Sequence, residues 1–340
     1  MTFMQVTSPP RPERRTDSDE RRGNMPVLPS CFGYQVYGLH IASQLELPEL
    51  LPSSLRADRD VDILTHALPV SLKQAIQRGS WIQLSETRCQ MTIPRIARYR
   101  MDGGRRIVVD RRVDTSLGCD PGDVRLYLLG TAFGTLLHQR QWLPLHVSAL
   151  ATPSGAWAFT GASGAGKSTL AAWLHHDRGW PLISDDVAVV KPEETRPWLY
   201  PGPPRLKLWK DALAMLGIGT QGLVRDLSRA DKYHLIQHRG FQAVPLPLTG
   251  LVVLERAEPG EHAVLEKLHG VAAFQAVMAS LYRPELARAF QVPQSLMRHV
   301  ADLAQRVQIY RFRRPLSLHD MTPVLSPLIA HIAGAAPDDV

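Results

Sequence analysis

Apolar and polar positions along the chain change their period near residue 120. The run FGYQVYGLHI over 32–41 is aromatic and β-branched and predicts a strand, followed by a Leu/Pro-rich loop over 45–52. Val61, Ile63 and Leu64 make a second short apolar run. Residues 91–101 and 105–110 flank Asp102-Gly103-Gly104, a glycine-bearing turn that predicts a hairpin. The stretch 32–112 is therefore mostly β. Beyond it Val124, Leu128, Leu129, Ala132, Phe133, Leu136 and Leu137 recur at helical spacing. Asp120 is a good N-cap with Pro121 at the first helical position, so a helix is expected to run to about Arg140.

From about residue 141 strands alternate with helices. Leu145 to Ala151 and Ala156 to Thr160 read as strands joined by a Pro-Ser-Gly turn at 153–155. A helix over 167–178 ends at Gly179, and Leu182 to Val190 is a further strand. After a Pro-rich loop over 192–204 come a basic segment, Arg205 to Lys210, and a short helical pattern at 212–216. Leu248 to Glu255 is a buried-type strand, and helical patterns occupy 268–289, 292–306 and 319–334. The expected organisation is a disordered leader over 1–31, a β-rich portion with a connecting helix over 32–140, and an α/β domain over 141–334.

The 340 residues leave room for roughly two domains, and 44% hydrophobic against 21% charged residues exclude a wholly disordered chain. The charge balance is 39 Lys+Arg against 32 Asp+Glu, or +7, and only seven of the cations are lysine. That excess suits an anionic partner, though arginine-rich surface is often simply solvated. Cys31, Cys89 and Cys119 lie far apart, which argues against a zinc cage or a disulfide framework and points to a reducing compartment. The leader mixes Pro, Arg, Asp and Glu with no apolar core of a secretory signal, and Met25 is a candidate start. The longest charge-free stretch, 141–166, carries two prolines and four glycines and is no membrane helix. A cytoplasmic protein is expected, without membrane or nucleic-acid partners, since no nucleic-acid-binding signature accompanies the positive charge. The sequence leaves a homo-oligomer open.

Gly161, Ala162, Ser163, Gly164, Ala165, Gly166, Lys167 and Ser168 fit the P-loop pattern G-x-x-x-x-G-K-[ST] without a mismatch, and Thr169 follows. Glycines let the backbone wrap an anion without interference from Cβ atoms, and the helix that starts near Lys167 adds its positive dipole end. Lys167 offers an ammonium to β- and γ-phosphates, and the Ser168 hydroxyl can ligate Mg²⁺. Nucleotide phosphate binding, with ATP and Mg²⁺, is the expectation.

Past the predicted helix lie Asp185 and Asp186, near the end of the apolar run Pro181-Leu-Ile-Ser184. Adjacent carboxylates repel unless a cation sits beside them, and Mg²⁺ bound to ATP is the expected one. Neighbouring side chains on a strand diverge, so one carboxylate can face the metal and the other an incoming hydroxyl as general base.

The order of a strand with a histidine (Leu145-His146-Val147), a strand and P-loop, a single helix and an Asp-Asp strand resembles the catalytic domain of HPr kinase/phosphorylase. That family is related to phosphoenolpyruvate carboxykinase. YGLHIASQLELPEL at 37–50, DVRLYLLGTAFGTLLHQR at 123–140 and LPLHVSALA at 143–151 are similar to the stand-alone HPr-kinase-like proteins encoded with lasso-peptide biosynthesis genes. The resemblance implies a kinase phosphorylating a serine hydroxyl of a precursor peptide, commonly its C-terminal residue. It also implies an α/β HPr-kinase-like P-loop domain preceded by a smaller β-rich portion. Matched residue by residue, Lys167 and Ser168 take the phosphate and metal contacts, Asp186 the proton acceptor, Asp185 the carboxylate near the metal, and His146 the active-site histidine. By itself His146 reads as a core histidine.

The chain departs from the family in several places. Ala162 stands where the family has Asp, and Thr169 where it has Glu. The family's acidic metal segment corresponds to the basic stretch 204–209. Lys232 is the candidate substitute for the family's catalytic arginine, a point charge in place of a planar fork. The phosphorolysis segment corresponds to 244–249, which has no arginine, so kinase activity without efficient dephosphorylation is expected. Arg205 and Lys207 would share one face of a strand, with Lys210 nearby, and can hold ATP phosphates or a peptide carboxylate, or lie solvated. Trp198, Tyr200 and Trp209 can stack on adenine or a peptide, or simply pack. A P-loop kinase of a small metabolite and a non-kinase ATP-binding assembly factor are the alternatives.

Overall fold

The computed structural model describes residues 31–111, 121–192, 195–226, 231–258, 260–316 and 321–334. The leader before Cys31, Cys119, the Asp120 cap and the start of the last helical pattern lie outside them.

The first strand run is two strands, β1 (Phe32–Val36) and β2 (Leu39–Ser43), paired antiparallel. The reversal falls at Tyr37 and Gly38, both with positive φ, at 56° and 68°. Two consecutive left-handed residues are what a tight hairpin needs, and Gly38 lets the Tyr200 ring lie where a Cβ would sit. The sheet continues with β3 (Leu51–Pro52), β4 (Val61–Thr65), β5 (Gln77–Arg78), β6 (Ile82–Leu84), β7 (Arg88–Ile93), β8 (Ala97–Asp102) and β9 (Arg106–Asp110). Its order is β3-β1-β2-β4-β9-β8-β7-β6-β5. The expected two-strand hairpin is thus a three-stranded meander, because the chain also reverses after Ile93, with Arg95 at φ 63°.

The connecting segment is helical from Pro121, the first described residue after 111, but is not uniform. It consists of α1 (Pro121–Tyr127), a π-helical turn (Leu128–Ala132) and α2 (Phe133–Gln139). Phe133, Leu136 and Leu137 are fully buried in one apolar core with Tyr37, Ile63, Met91, Tyr99 and Met101 of the sheet. Val187 and Val189, from the later part of the chain, complete that core.

The α/β part runs β10 (Leu143–Leu145), β11 (Ser148–Thr152), β12 (Gly155–Thr160), α3 (Lys167–Arg178), β13 (Leu182–Asp185), β14 (Ala188–Val190), β15 (Trp198–Tyr200), β16 (Arg205–Trp209), α4 (Lys210–Met215), β17 (Val224–Arg225) and β18 (Lys232–Ile236). There follow β19 (Leu246–Arg256), β20 (Val264–Lys267), α5 (Gly270–Ser280), α6 (Pro284–Phe290), α7 (Pro293–Arg306), β21 (Gln308–Arg314) and α8 (Met321–Gly334). The main sheet has the path β10-β14-β15-β19-β12-β11-β13, with β21 parallel to β19 and β20 beyond it. β16, β18 and β17 form a small sheet of their own.

Two expected strands, 145–151 and 182–190, are each broken in the middle. β10 pairs antiparallel with β14, and β11 with β13, so residues 146–147 face 186–187 across the break. One bent two-stranded ribbon therefore joins the two ends of the sheet path. The helical pattern over 268–289 is also two elements, since Pro284 opens α6 and Arg283 before it is left-handed at φ 48°. β21 was not expected from the sequence. It lies next to β19 and buries Ile309, Tyr310 and Phe312.

Candidate functional site

β12 delivers the chain from the middle of the sheet into the glycine loop, and α3 starts at Lys167. Gly161, Gly164 and Gly166 have φ of 141°, 88° and 84°, conformations that L side chains rarely adopt. At Gly161 a Cβ would also meet the Leu254 carbonyl oxygen at 2.5 Å. The Lys167 ammonium donates to the carbonyls of Gly161 at 2.8 Å and Ala162 at 3.2 Å. Ser163, Gly164, Gly166, Lys167, Ser168 and Thr169 line a cleft of about 640 Å³. Gly161, Ala162 and Ala165 line a different cavity, with Val253 to Arg256 on β19.

The break in the ribbon faces the same cleft. Asp186 has φ 94°, unusual for a residue with a side chain, and its N–H donates to the Val147 carbonyl at 3.1 Å. The His146 backbone N–H donates to Ser280 at 2.6 Å, which turns the imidazole out of the sheet, where it is 40% exposed. Its Nδ1 lies 2.9 Å from the Asp186 carbonyl oxygen, an acceptor only, so Nδ1 carries a proton and donates it there. Nδ1 is also 3.4 Å from Asp186 Oδ1.

The two carboxylates are handled differently. Asp185 is buried, and its oxygens accept from Ser148 Oγ at 2.5 Å and from the Lys207 backbone N–H at 2.8 Å. Asp186 Oδ2 forms an ion pair with Lys207 Nζ. Burial raises the Asp186 pKa, but the Lys207 charge and the His146 contact outweigh it and hold the carboxyl well below the usual range. The cation beside the aspartates is thus the protein's own Lys207.

The opposite wall comes from the connecting helix: Leu126, Tyr127, Gly130 and Thr131. Glycines cost stability inside a helix, and Gly134 in α2 has a packing reason that Gly130, with room for a Cβ, does not share. A Cβ on Gly134 would lie 2.5 Å from Tyr282 Cε1, and one on Gly130 3.6 Å from the Tyr282 hydroxyl. The tyrosine ring sits against the helix and itself lines the cleft. π-turns recur at functional sites, and this one contributes Gly130 and Thr131 to the wall.

Of the other residues singled out in the sequence, Lys232 and Trp209 line the cleft, with Lys232 Nζ 6.0 Å from the Trp209 ring. Arg205 is buried beside a smaller cavity of about 270 Å³, and Lys210 is exposed on α4. Tyr200 packs under Lys191, 3.7 Å from Nζ to its ring, and neither it nor Trp198 lines the cleft. Tyr282, Arg283 and Arg314 line it without having been expected, as do Asp211 and Asp226. An even spacing from Arg205 was the one sequence signal for Lys207; none marked Tyr282.

Among the described residues no group of three or more His, Cys, Asp or Glu side chains could enclose a metal ion. Mg²⁺ does not need such a cage, because beside phosphates it takes most of its six ligands from water and phosphate oxygens. Ser168 lines the cleft, and each Asp185 oxygen has one of two lone pairs engaged, so these residues fit that kind of site. Among the described residues no helix is long and apolar enough to cross a membrane.

No protein-family model matches the chain, and comparison with curated proteins finds no match. Among solved structures, the HPr(Ser) kinase/phosphatase from Coxiella burnetii is similar at 13% identity, over 55% of this chain and 88% of that chain, with a TM-score of 0.27.

Proposed function

We propose that this protein is an ATP-dependent kinase that transfers the γ-phosphoryl group to a serine hydroxyl of a peptide or protein. The observation that carries the proposal is the meeting, in one cleft, of the glycine loop with Lys167 and Ser168 and the ribbon break with Asp186 and His146.

The loop amides and Lys167 hold the phosphates, which requires the ammonium to leave the Gly161 and Ala162 carbonyls for phosphate oxygens. Ser168 and Asp185 would hold Mg²⁺, which supplies charge neutralisation on the β- and γ-phosphates. The serine oxygen attacks the γ-phosphorus, the bond to the β-phosphate oxygen breaks, ADP departs and the hydroxyl proton passes to Asp186. An ionised carboxylate held at low pKa accepts a proton poorly in the ground state. In a loose transition state, however, the proton moves late, and the main task of Asp186 is to orient the hydroxyl. His146 fixes the Asp186 backbone through its Nδ1 proton, and Lys232 offers a second cation to the transferring group. The β-rich portion is more than an appendage in this scheme, since its helix forms one wall of the cleft.

Incubation with ATP, Mg²⁺ and serine peptides, read by mass spectrometry, tests the proposal. A phosphate-mass gain on serine is expected. ATP binding without transfer to any peptide would favour an ATP-binding assembly factor, and transfer only to a small alcohol would favour a metabolite kinase.

A further inference from the structure

β21 ends at Arg314, a residue only 2% exposed that has no carboxylate partner among the described residues. Among the described residues its side chain's one hydrogen bond is a long 3.5 Å contact from Nη1 to the neighbouring Pro315 carbonyl. Its Nε has no partner, and among the described residues no carboxylate pairs with it. Burial alone pulls its pKa down to about 10, with no charged neighbour contributing. A desolvated, uncompensated guanidinium is costly, and proteins rarely keep one without a use.

Its position suggests the use. Nη2 lies 2.8 Å from the point where a Cβ on Gly166 would sit, directly against the glycine that opens α3. Arg314 lines the cleft together with Ser163, Gly164, Gly166 and Lys167. A helix start, whose first N–H groups have no acceptor within the helix, a lysine and a planar five-donor fork then converge on one volume, which suits a polyanion with several oxygens.

We propose that Arg314 is a phosphate ligand of the bound nucleotide, reaching the phosphate chain from the Gly166 side of the loop, so that the nucleotide supplies the missing counter-charge. The inference rests on the nucleotide-binding reading above and adds to it a residue far from the loop in sequence. A Cβ on Gly166 would push the guanidinium end aside, so the glycine leaves room for Arg314 to lie against the loop.

The test compares wild type with Arg314→Met, which fills similar space without charge, using ATP and inorganic pyrophosphate as ligands in calorimetry. Pyrophosphate carries no base or sugar, so a loss on both ligands locates the contact on phosphate. The expected result is a loss of about 10–100-fold in affinity for each, the usual worth of a charge-assisted contact. The unliganded variant should melt no lower than wild type, because a buried unpaired charge has been removed. Unchanged affinity for both ligands, or a loss for ATP with pyrophosphate unaffected, overturns the assignment of Arg314 while leaving the loop's role standing. Failure of the wild type to bind either ligand overturns the nucleotide reading and this inference with it. Should the methionine variant not fold, Arg314→Gln serves the same comparison with the same expected losses.

Discussion

Lys207 engages both members of the aspartate pair at once: its backbone N–H binds Asp185 Oδ2 at 2.8 Å, and its ammonium pairs with Asp186 Oδ2. β16 thereby locks the end of β13 and explains how two adjacent carboxylates are tolerated before any ligand arrives. Both partners of the ion pair are mostly buried, at 13% and 19% side-chain exposure, so losing one leaves a poorly solvated charge.

If Lys207 keeps Asp186 ionised, a variant without the cation at 207 should hold the Asp186 proton to higher pH. In Lys207→Met the depressing charge is gone while the burial that raises the Asp186 pKa remains. The acid limb of the kcat/KM profile is expected to move to higher pH relative to wild type. An unmoved limb would show that Asp186 does not govern it.

Asp186→Asn keeps the shape and removes the charge. Turnover is expected to fall by about 10²–10⁴ while ATP binding persists, since the phosphates are held by the loop. Single-turnover transfer and calorimetric ATP binding, measured side by side, separate the two effects. Wild-type turnover in this variant would remove Asp186 from the mechanism.

Gly134→Ala ought to stabilise an ordinary helix by up to about 1 kcal/mol. Here the added methyl meets Tyr282 Cε1 at 2.5 Å, so overpacking should win and cost about 1–3 kcal/mol net. Urea denaturation reads the sign directly. Stabilisation would mean that the Tyr282 ring is free to move aside.

His138 is fully buried on α2, its Nε2 2.7 Å from the Tyr282 carbonyl oxygen and its Nδ1 2.9 Å from Gln291 Nε2. Burial pushes its pKa down to about 4 from 6.5. A lowered pKa means the unfolded chain takes up a proton first as pH falls. The stability this neutral histidine contributes is thus complete above pH 6.5 and lost progressively towards pH 4. From pH 7 to pH 5 the loss should be about 2 kcal/mol. A denaturation series over that range, with His138→Gln as reference, checks it: equal slopes in the two proteins would refute the assignment.

What the sequence made legible was local chemistry. The glycine loop, Lys167 and Ser168, and the aspartate pair lie within short stretches whose residue types carry their own meaning, and all of them border one cleft. What it hid was tertiary pairing. Lys207 meets Asp185 across 22 positions, and nothing in the basic run 205–210 distinguished a paired lysine from a solvated one. The ribbon break was equally invisible, because Leu145 to Ala151 and Leu182 to Val190 each begin and end on apolar residues that read as one continuous strand. The bends depend on hydrogen bonds between distant segments, such as His146 N–H to Ser280. β21 was missed because Arg311, Arg313 and Arg314 interrupt its apolar residues, and because Ile309 packs on one face and Tyr310 and Phe312 on the other, so no period-2 pattern shows.

The π-turn at Leu128–Ala132 is, in effect, a phase shifter. An α-helix rotates by about 100° per residue, so one additional residue in a turn resets the angular address of everything before it relative to everything after it. Across the turn, Val124 before it and Phe133, Leu136 and Leu137 after it all bear on the sheet, while Leu126 and Tyr127 look into the cleft. Deleting a single residue there would leave the rear half seated and swing the front half round by about a quarter turn. The scaffold and the binding wall are thus two separately indexed faces of one rod, and the alignment between them is stored in the length of a five-residue segment.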